Sequence, residues 1–123
     1  MRKILVVEDE PANMYLLKFM LSHAGFAVLE ATTGEEGVEL ALRERPNLVL
    51  MDIQLPGIDG HEATKRIRAS PIGKDIAIVA LTSYAMCGDR EKALAAGCTG
   101  YIEKPINPET FLQELQSYLE VPR

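Results

Sequence analysis

The chain has no apolar run approaching the ~20 residues of a membrane-spanning helix, and no signal peptide precedes its first apolar segment. It has no excess of positive charge. With 18 acidic side chains against 13 Lys and Arg, the formal net charge is -5, which argues against non-specific affinity for nucleic acid or an anionic membrane. Cysteine is scarce, and the spacing of Cys87 and Cys98 matches no metal or redox motif, so both read as ordinary thiols of a reducing cytoplasm. No internal repeat, low-complexity tract or linker interrupts the sequence. What is present, 123 residues with 47% apolar and 25% charged, reads as one soluble, cytoplasmic globular domain over residues 1–123, long enough to bury a real core.

Apolar runs of four or five residues alternate with longer stretches of helical period, the pattern of βαβ units. Strands are predicted over Lys3–Val7, Ala27–Ala31, Asn47–Met51, Ala77–Leu81 and Gly100–Glu103. The first, third and fourth are continuous in Val, Ile and Leu, as expected for strands covered on both faces. Helices are predicted over Pro11–Ala24, Gly34–Arg43, His61–Ser70, Gly88–Ala96 and Pro108–Leu119. Pro11 and Pro108 suit first helical positions, Asn107 suits a cap, and Gly25 and Gly97 suit helix C-termini. Five such units with right-handed crossovers give a doubly wound α/β fold, a five-stranded parallel sheet of flavodoxin-like order 2-1-3-4-5. Its topological switch point lies between strands one and three, and ligands of open α/β sheets bind there, at the carboxyl ends.

Those two strands run into Glu8-Asp9-Glu10 and Asp52. Carboxylates packed at one pole raise each other's pKa, and a hard divalent cation relieves the repulsion. Magnesium, or manganese in its place, would take Asp9 and Asp52 as direct ligands, with Glu8 holding a coordinated water and the backbone carbonyl of Gln54 adding an oxygen. Thr82 ends the fourth strand and Lys104 follows the fifth. A hydroxyl and an ammonium beside a carboxylate are what an in-line phosphoryl transfer onto Asp52 needs.

Four segments on these elements carry a family resemblance. Val6-Val7-Glu8-Asp9-Glu10, Leu50 to Gly60 around Asp52, Ala80-Leu81-Thr82-Ser83-Tyr84-Ala85 and Tyr101-Ile102-Glu103-Lys104-Pro105-Ile106 resemble the motifs of the receiver (response-regulator) domain of two-component signalling, across essentially the whole chain. Residues 84–91 look most like the DivK-like and hybrid-kinase-like subtypes. The resemblance implies that Asp52 accepts a phosphoryl group from a phosphohistidine on a histidine kinase or phosphotransfer protein. It implies that the domain catalyses this transfer and the later hydrolysis itself, without being an enzyme on another substrate. It also implies a cis Lys104–Pro105 bond, and Thr82 and Tyr101 as a switch pair that reshapes the face of helix four, strand five and helix five for a downstream protein. The chain would be a single-domain regulator or a receiver taken from a longer protein.

Gln54 and Tyr84, each two residues beyond a site residue, would flank the path of attacking water without offering a general base, so slow hydrolysis is expected. On the first helix Leu16, Leu17, Met20, Leu21 and Ala24 share the expected core face, while Tyr15 and Phe19 fall opposite and are candidates for docking a helical phosphodonor. His23 and His61 lie away from the strand ends and are expected to face solvent, so the chain is poorly equipped as a histidine donor. A magnesium phosphohydrolase would need a second acid where Gln54 stands, and a substrate cap. A flavin carrier would meet an acidic loop, Glu8-Asp9-Glu10-Pro11, at its phosphate site. A receiver that binds partners without being phosphorylated would not need Asp9, Asp52, Thr82 and Lys104 together.

Overall fold

The computed structural model describes residues 2–82 and 89–119. Its elements alternate as β1 Lys3–Val7, α1 Pro11–His23, β2 Ala27–Ala31, α2 Gly34–Glu44, β3 Leu48–Asp52, α3 Gly60–Ala69, a 3-10 turn at Pro71–Gly73, β4 Ala77–Thr82, α4 Asp89–Ala96, β5 Gly100–Glu103 and α5 Pro108–Leu119. The sheet is parallel throughout, in the order β2-β1-β3-β4-β5. The predicted doubly wound architecture is therefore the one found.

Alternation along the inner strands divides the core into two halves, because successive strand side chains point to opposite faces. Ile4, Val6, Leu48, Leu50, Val79 and Leu81 pack against Leu17 and Leu21 of α1 and Phe111 and Leu115 of α5. Leu5, Val7, Val49, Met51, Ile78 and Ala80 pack against Ala41 of α2, Ala63 and Ile67 of α3, and Ala93 of α4. Each fully buried aliphatic side chain stabilises the fold by about 1.5–3 kcal/mol. The helices on the second face contribute alanine at three of these four positions.

The helices start where short polar side chains can satisfy their free N–H groups. Thr33 accepts from Glu36 N at 3.1 Å while Glu36 accepts from Thr32 N at 2.8 Å, and Asp59 accepts from Glu62 N at 2.9 Å. Asn107 caps α5 through Glu109 N, as its position suggested. Gly25 and Gly97 carry the left-handed φ values that end α1 and α4. No helix among the described residues is long and apolar enough to cross a membrane. Cys98 is a buried free thiol, while Cys87 lies outside the described residues.

Several expectations need correction: β3 begins at Leu48 rather than Asn47, α1 ends at His23, α2 runs to Glu44 and α3 ends at Ala69. On α1 the core face holds Met14, Leu17, Met20 and Leu21, with Leu16 half-buried against the same cluster as expected, but Ala24 is exposed where the chain turns away. β3 and β4 each run one residue further than expected, through Asp52 and Thr82, because the sheet's hydrogen bonds continue past the last aliphatic side chain. α3 begins at Gly60 rather than His61, set by its Asp59 cap. His61 is half-buried and its Nδ1 is shielded from solvent with no hydrogen-bond partner among the described residues, since α3 turns that edge of the ring inward rather than out to water.

Gly60 is the contact on which the end of β3 rests. A Cβ there would lie 2.3 Å from the carbonyl oxygen of Asp52 and 2.8 Å from Ile53 Cα, so only glycine lets α3 begin against the strand end. Gly60→Ala is expected to destabilise the protein by about 1–3 kcal/mol through overpacking against rigid backbone. Chemical denaturation measures this, and an unchanged midpoint would show that the strand end yields freely.

Candidate acidic site at the strand ends

Three backbone hydrogen bonds extend the sheet beyond its strands and fix the site. Glu8 N–H donates to Ala31 O at 3.0 Å, Ile53 N–H to Leu81 O at 3.1 Å, and Lys104 N–H to Thr82 O at 2.7 Å. β1 and β3 are in register to Val7 and Met51, so Glu8 and Asp52 emerge side by side. Thr82 pairs with Glu103, which brings Lys104 to the same pole of the sheet.

Lys104 Nζ donates to Glu8 Oε1 at 2.8 Å and to Asp52 Oδ2 at 3.2 Å. The remaining carboxylate oxygens are also held, Glu8 Oε2 by Glu10 N–H and Asp52 Oδ1 by Gln54 N–H, each at 3.1 Å. Glu8 and Asp52 are nearly inaccessible, at 1% and 3% exposure, and Thr82 is also buried. Asp9 reaches the same cluster from an exposed position: Glu8, Asp9 and Asp52 each present an oxygen within 4.8 Å of the others. Oxygen donors of this kind suit a hard cation. Three carboxylates and one ammonium leave two formal negative charges, which a divalent ion matches.

The sequence placed Glu8, Asp9, Asp52, Thr82 and Lys104 at one pole, and the structure brings them there. It did not reveal that Glu8 is the inner carboxylate and the nearest partner of Lys104, whereas Asp9 lies outside. The continuous burial of Ile4–Val7 up to that point was the available signal. Gln54 has an exposed side chain and contributes its N–H to Asp52. Tyr84 lies outside the described residues. The Lys104–Pro105 peptide bond is cis. Tyr101 is half-buried on β5, and its carbonyl accepts from Tyr118 Oη at 3.3 Å, a partner not anticipated. Gly100, a glycine at the start of a strand, was its sequence signal.

Tyr15 and Phe19 are exposed on α1 at 72% and 57%, and Phe19 stacks on His23 with ring centroids 5.4 Å apart. A cavity of about 310 Å3 runs from Glu8 and Asp9 past Pro11 and Met14 to Tyr15 and Lys18. Tyr15 and Lys18 also border the neighbouring hollow lined by Phe19, Ser22 and His23. The aromatic face of α1 is thus continuous with the acidic site.

Burial, then the hydrogen bond and negative charge of Glu8, push Asp52 up to about 6 despite Lys104. Burial alone would also raise Glu8, but its hydrogen bonds with Asp52, Lys104 and Glu10 N–H hold it below the ordinary glutamate value. Lys104 is disfavoured by burial, yet the hydrogen bond it donates to Glu8 and the charge of Asp52 keep its ammonium above the usual lysine value. Asp52 binds its proton more tightly in the folded protein than in the unfolded chain. Its contribution to stability is full below the ordinary value of 3.8 and is lost as the pH rises through about 6. Glu8 works in the opposite sense, contributing above its ordinary value of 4.5 and losing that contribution as the pH falls. In chelator-treated protein, Asp52→Asn is expected to be more stable than wild type by roughly 1–3 kcal/mol at pH 7.5, at about 1.4 kcal/mol per pKa unit. The gap should narrow as the pH falls through about 6 and close below pH 3.8. Melting curves of both proteins at the two pH values test this, and a gap independent of pH would refute it.

Residues 4–116 match the response regulator receiver domain. The chain is 37% identical over 118 residues to the polar-differentiation response regulator DivK of Brucella anthropi, covering 96% of each protein. The receiver domain of the sensor histidine kinase PA1611 of Pseudomonas aeruginosa, solved with a magnesium ion coordinated in its active-site cleft, is 38% identical and superposes with a TM-score of 0.91 over 98% of both chains. The chemotaxis response regulator CheY4 of Vibrio cholerae superposes equally well, at 0.91 and 31% identity, over 96% of this chain and 98% of that one. The chain belongs to the response regulator receiver family, the phospho-accepting signalling switches of two-component systems.

Proposed function

We propose that Asp52 is the phospho-acceptor and that the residues around it carry out the transfer. The observation that supports this most directly is the ammonium of Lys104 at 3.2 Å from a buried Asp52 carboxylate, within a cluster of oxygen donors. An Asp52 oxygen attacks the phosphorus of a partner's phosphohistidine. The O–P bond forms as the P–N bond breaks, and the electron pair leaves with the imidazole. Lys104 offers its charge to the phosphoryl oxygens, and Thr82 offers its hydroxyl. Asp9, Asp52 and the Gln54 carbonyl would hold magnesium, or manganese, with Glu8 behind them. The ion would supply positive charge to the same phosphoryl oxygens. Attack by water later returns the Asp52 carboxylate and releases inorganic phosphate, with Gln54 and Tyr84 limiting its approach.

Receiver domains exchange signals with kinases or phosphotransfer proteins and with downstream targets. The phosphodonor docks here on Tyr15 and Phe19, a reading supported by the continuity of that face with the acidic site. The target meets α4, β5 and α5, where Thr82 and Tyr101 report the state of Asp52. The cytoplasm is the compartment this reading implies.

Intact mass after incubation with acetyl phosphate and magnesium is expected to show one added phosphoryl group, lost in Asp52→Asn and on chelation of the metal. No gain in wild type despite magnesium binding would mean a module that works unphosphorylated. The added mass should decay slowly and decay faster in the Gln54→Ala, Tyr84→Ala double variant; equal decay removes the assigned role of both residues. Phe19→Ala is expected to slow transfer from a phosphorylated donor protein about tenfold, the scale of a lost aromatic contact. It should leave the acetyl phosphate reaction unchanged, and equal slowing of both reactions would exclude docking.

A further inference from the structure

β5 is an edge strand of only four residues, and its Tyr101 and Glu103 side chains reach an open rim of the sheet. A surface cavity of about 390 Å3 sits there, lined by Tyr101 and Glu103 of β5 and Glu114 and Tyr118 of α5. Its shape is held from below. A Cβ at Gly100 would come within 2.2 Å of Tyr118 Cε1, so the missing side chain is the space the Tyr118 ring occupies. The Tyr118 hydroxyl then donates to the Tyr101 carbonyl at 3.3 Å, which fixes the ring along the strand.

The chemistry of the cavity is one-sided. Two phenol rings form its walls and two carboxylates its rim, and neither Glu103 nor Glu114 is in an ion pair among the described residues. α5 contains no Lys or Arg, and the one cation of the Gly100–Leu119 segment, Lys104, is held by Glu8 and Asp52. Among the described residues this rim is therefore negative charge without an ion-pair partner, set over aromatic faces.

We infer that this cavity receives an arginine side chain presented by the protein target. This deepens the reading of β5 and α5 as the target-facing surface and rests on it. A guanidinium stacks on tyrosine faces and forms forked hydrogen bonds with carboxylates, so it answers both features, whereas a lysine ammonium answers chiefly the charge. The partner segment is accordingly basic. Contact with Tyr101 would tie its affinity to the state of Asp52.

Titration of isotope-labelled protein with N-acetyl-arginine amide, followed by NMR, tests the inference, with the neutral isostere N-acetyl-citrulline amide as control. Saturable shifts at Tyr101, Glu103, Glu114 and Tyr118 are expected with arginine and not with citrulline, and binding should weaken about tenfold in E114Q. Equal responses to both probes, or none to arginine, would overturn the proposal without requiring any variant. Shifts at these residues on simple dilution would assign the cavity to a second copy of the chain and also overturn it. Adding beryllofluoride as a phosphoryl mimic separates the two readings. Shifts over β5 and α5 without arginine binding would leave the target-facing surface standing and remove only the arginine. Absence of both would remove the two together.

Discussion

Lys104 Nζ lies between Glu8 and Asp52 at the mouth of the sheet, and most of the pole is arranged around that contact. Two carboxylates nearly closed to water would each carry a desolvation cost of several kcal/mol if left unpaired. The ammonium offsets part of that cost, and N–H groups from Glu10 and Gln54 satisfy the other two oxygens. The lysine arrives there because its own N–H continues the β4–β5 ladder to Thr82 O. Register, rather than side-chain chance, brings three strands' worth of charge together.

The pairing is incomplete by design of the composition. One cation faces three carboxylates; burial first, and then the hydrogen bond and charge of Glu8, push Asp52 towards protonation while Glu8 keeps its charge. This arrangement is poor for the stability of the bare protein with Asp52 ionised. On the proposed chemistry the attacking carboxylate must be ionised, and whatever brings positive charge to Asp52 lowers the cost of ionising it. On that reading stability and reactivity are coupled at this site, as they commonly are where like charges are held close.

The fold was legible because three strands are written as unbroken aliphatic runs, and buried strands leave little else that such runs can be. The strand ends were less so. Asp52 and Thr82 look like the first loop residues because they are polar, yet the backbone ladder that holds them does not depend on side-chain type. The same limit explains Glu8. In sequence it is one of three acids, and only three-dimensional neighbours decide which of them faces the lysine. His61 illustrates the converse, since a helix begun one residue earlier by the Asp59 cap changes which way a side chain points. Ala24 belonged to the apolar pattern of α1 but lies past its last turn, where periodicity no longer implies burial.

β5 connects the reactive pole to the open edge over a very short distance. Tyr101 and Glu103 share one face of the strand, Ile102 points into the opposite core, and Lys104 follows immediately. At one end the strand is tied to β4 through Lys104 N–H, and at the other its Tyr101 carbonyl is tied to Tyr118 on α5. On the proposed chemistry, Lys104 must divide its hydrogen bonds among Glu8, Asp52 and the phosphoryl oxygens. Tyr101 and Glu103, which line the edge cavity, lie within three residues of Lys104. A target can bias the reactive end only to the extent that it binds the two arrangements of this strand differently, and the coupling must then act equally in reverse.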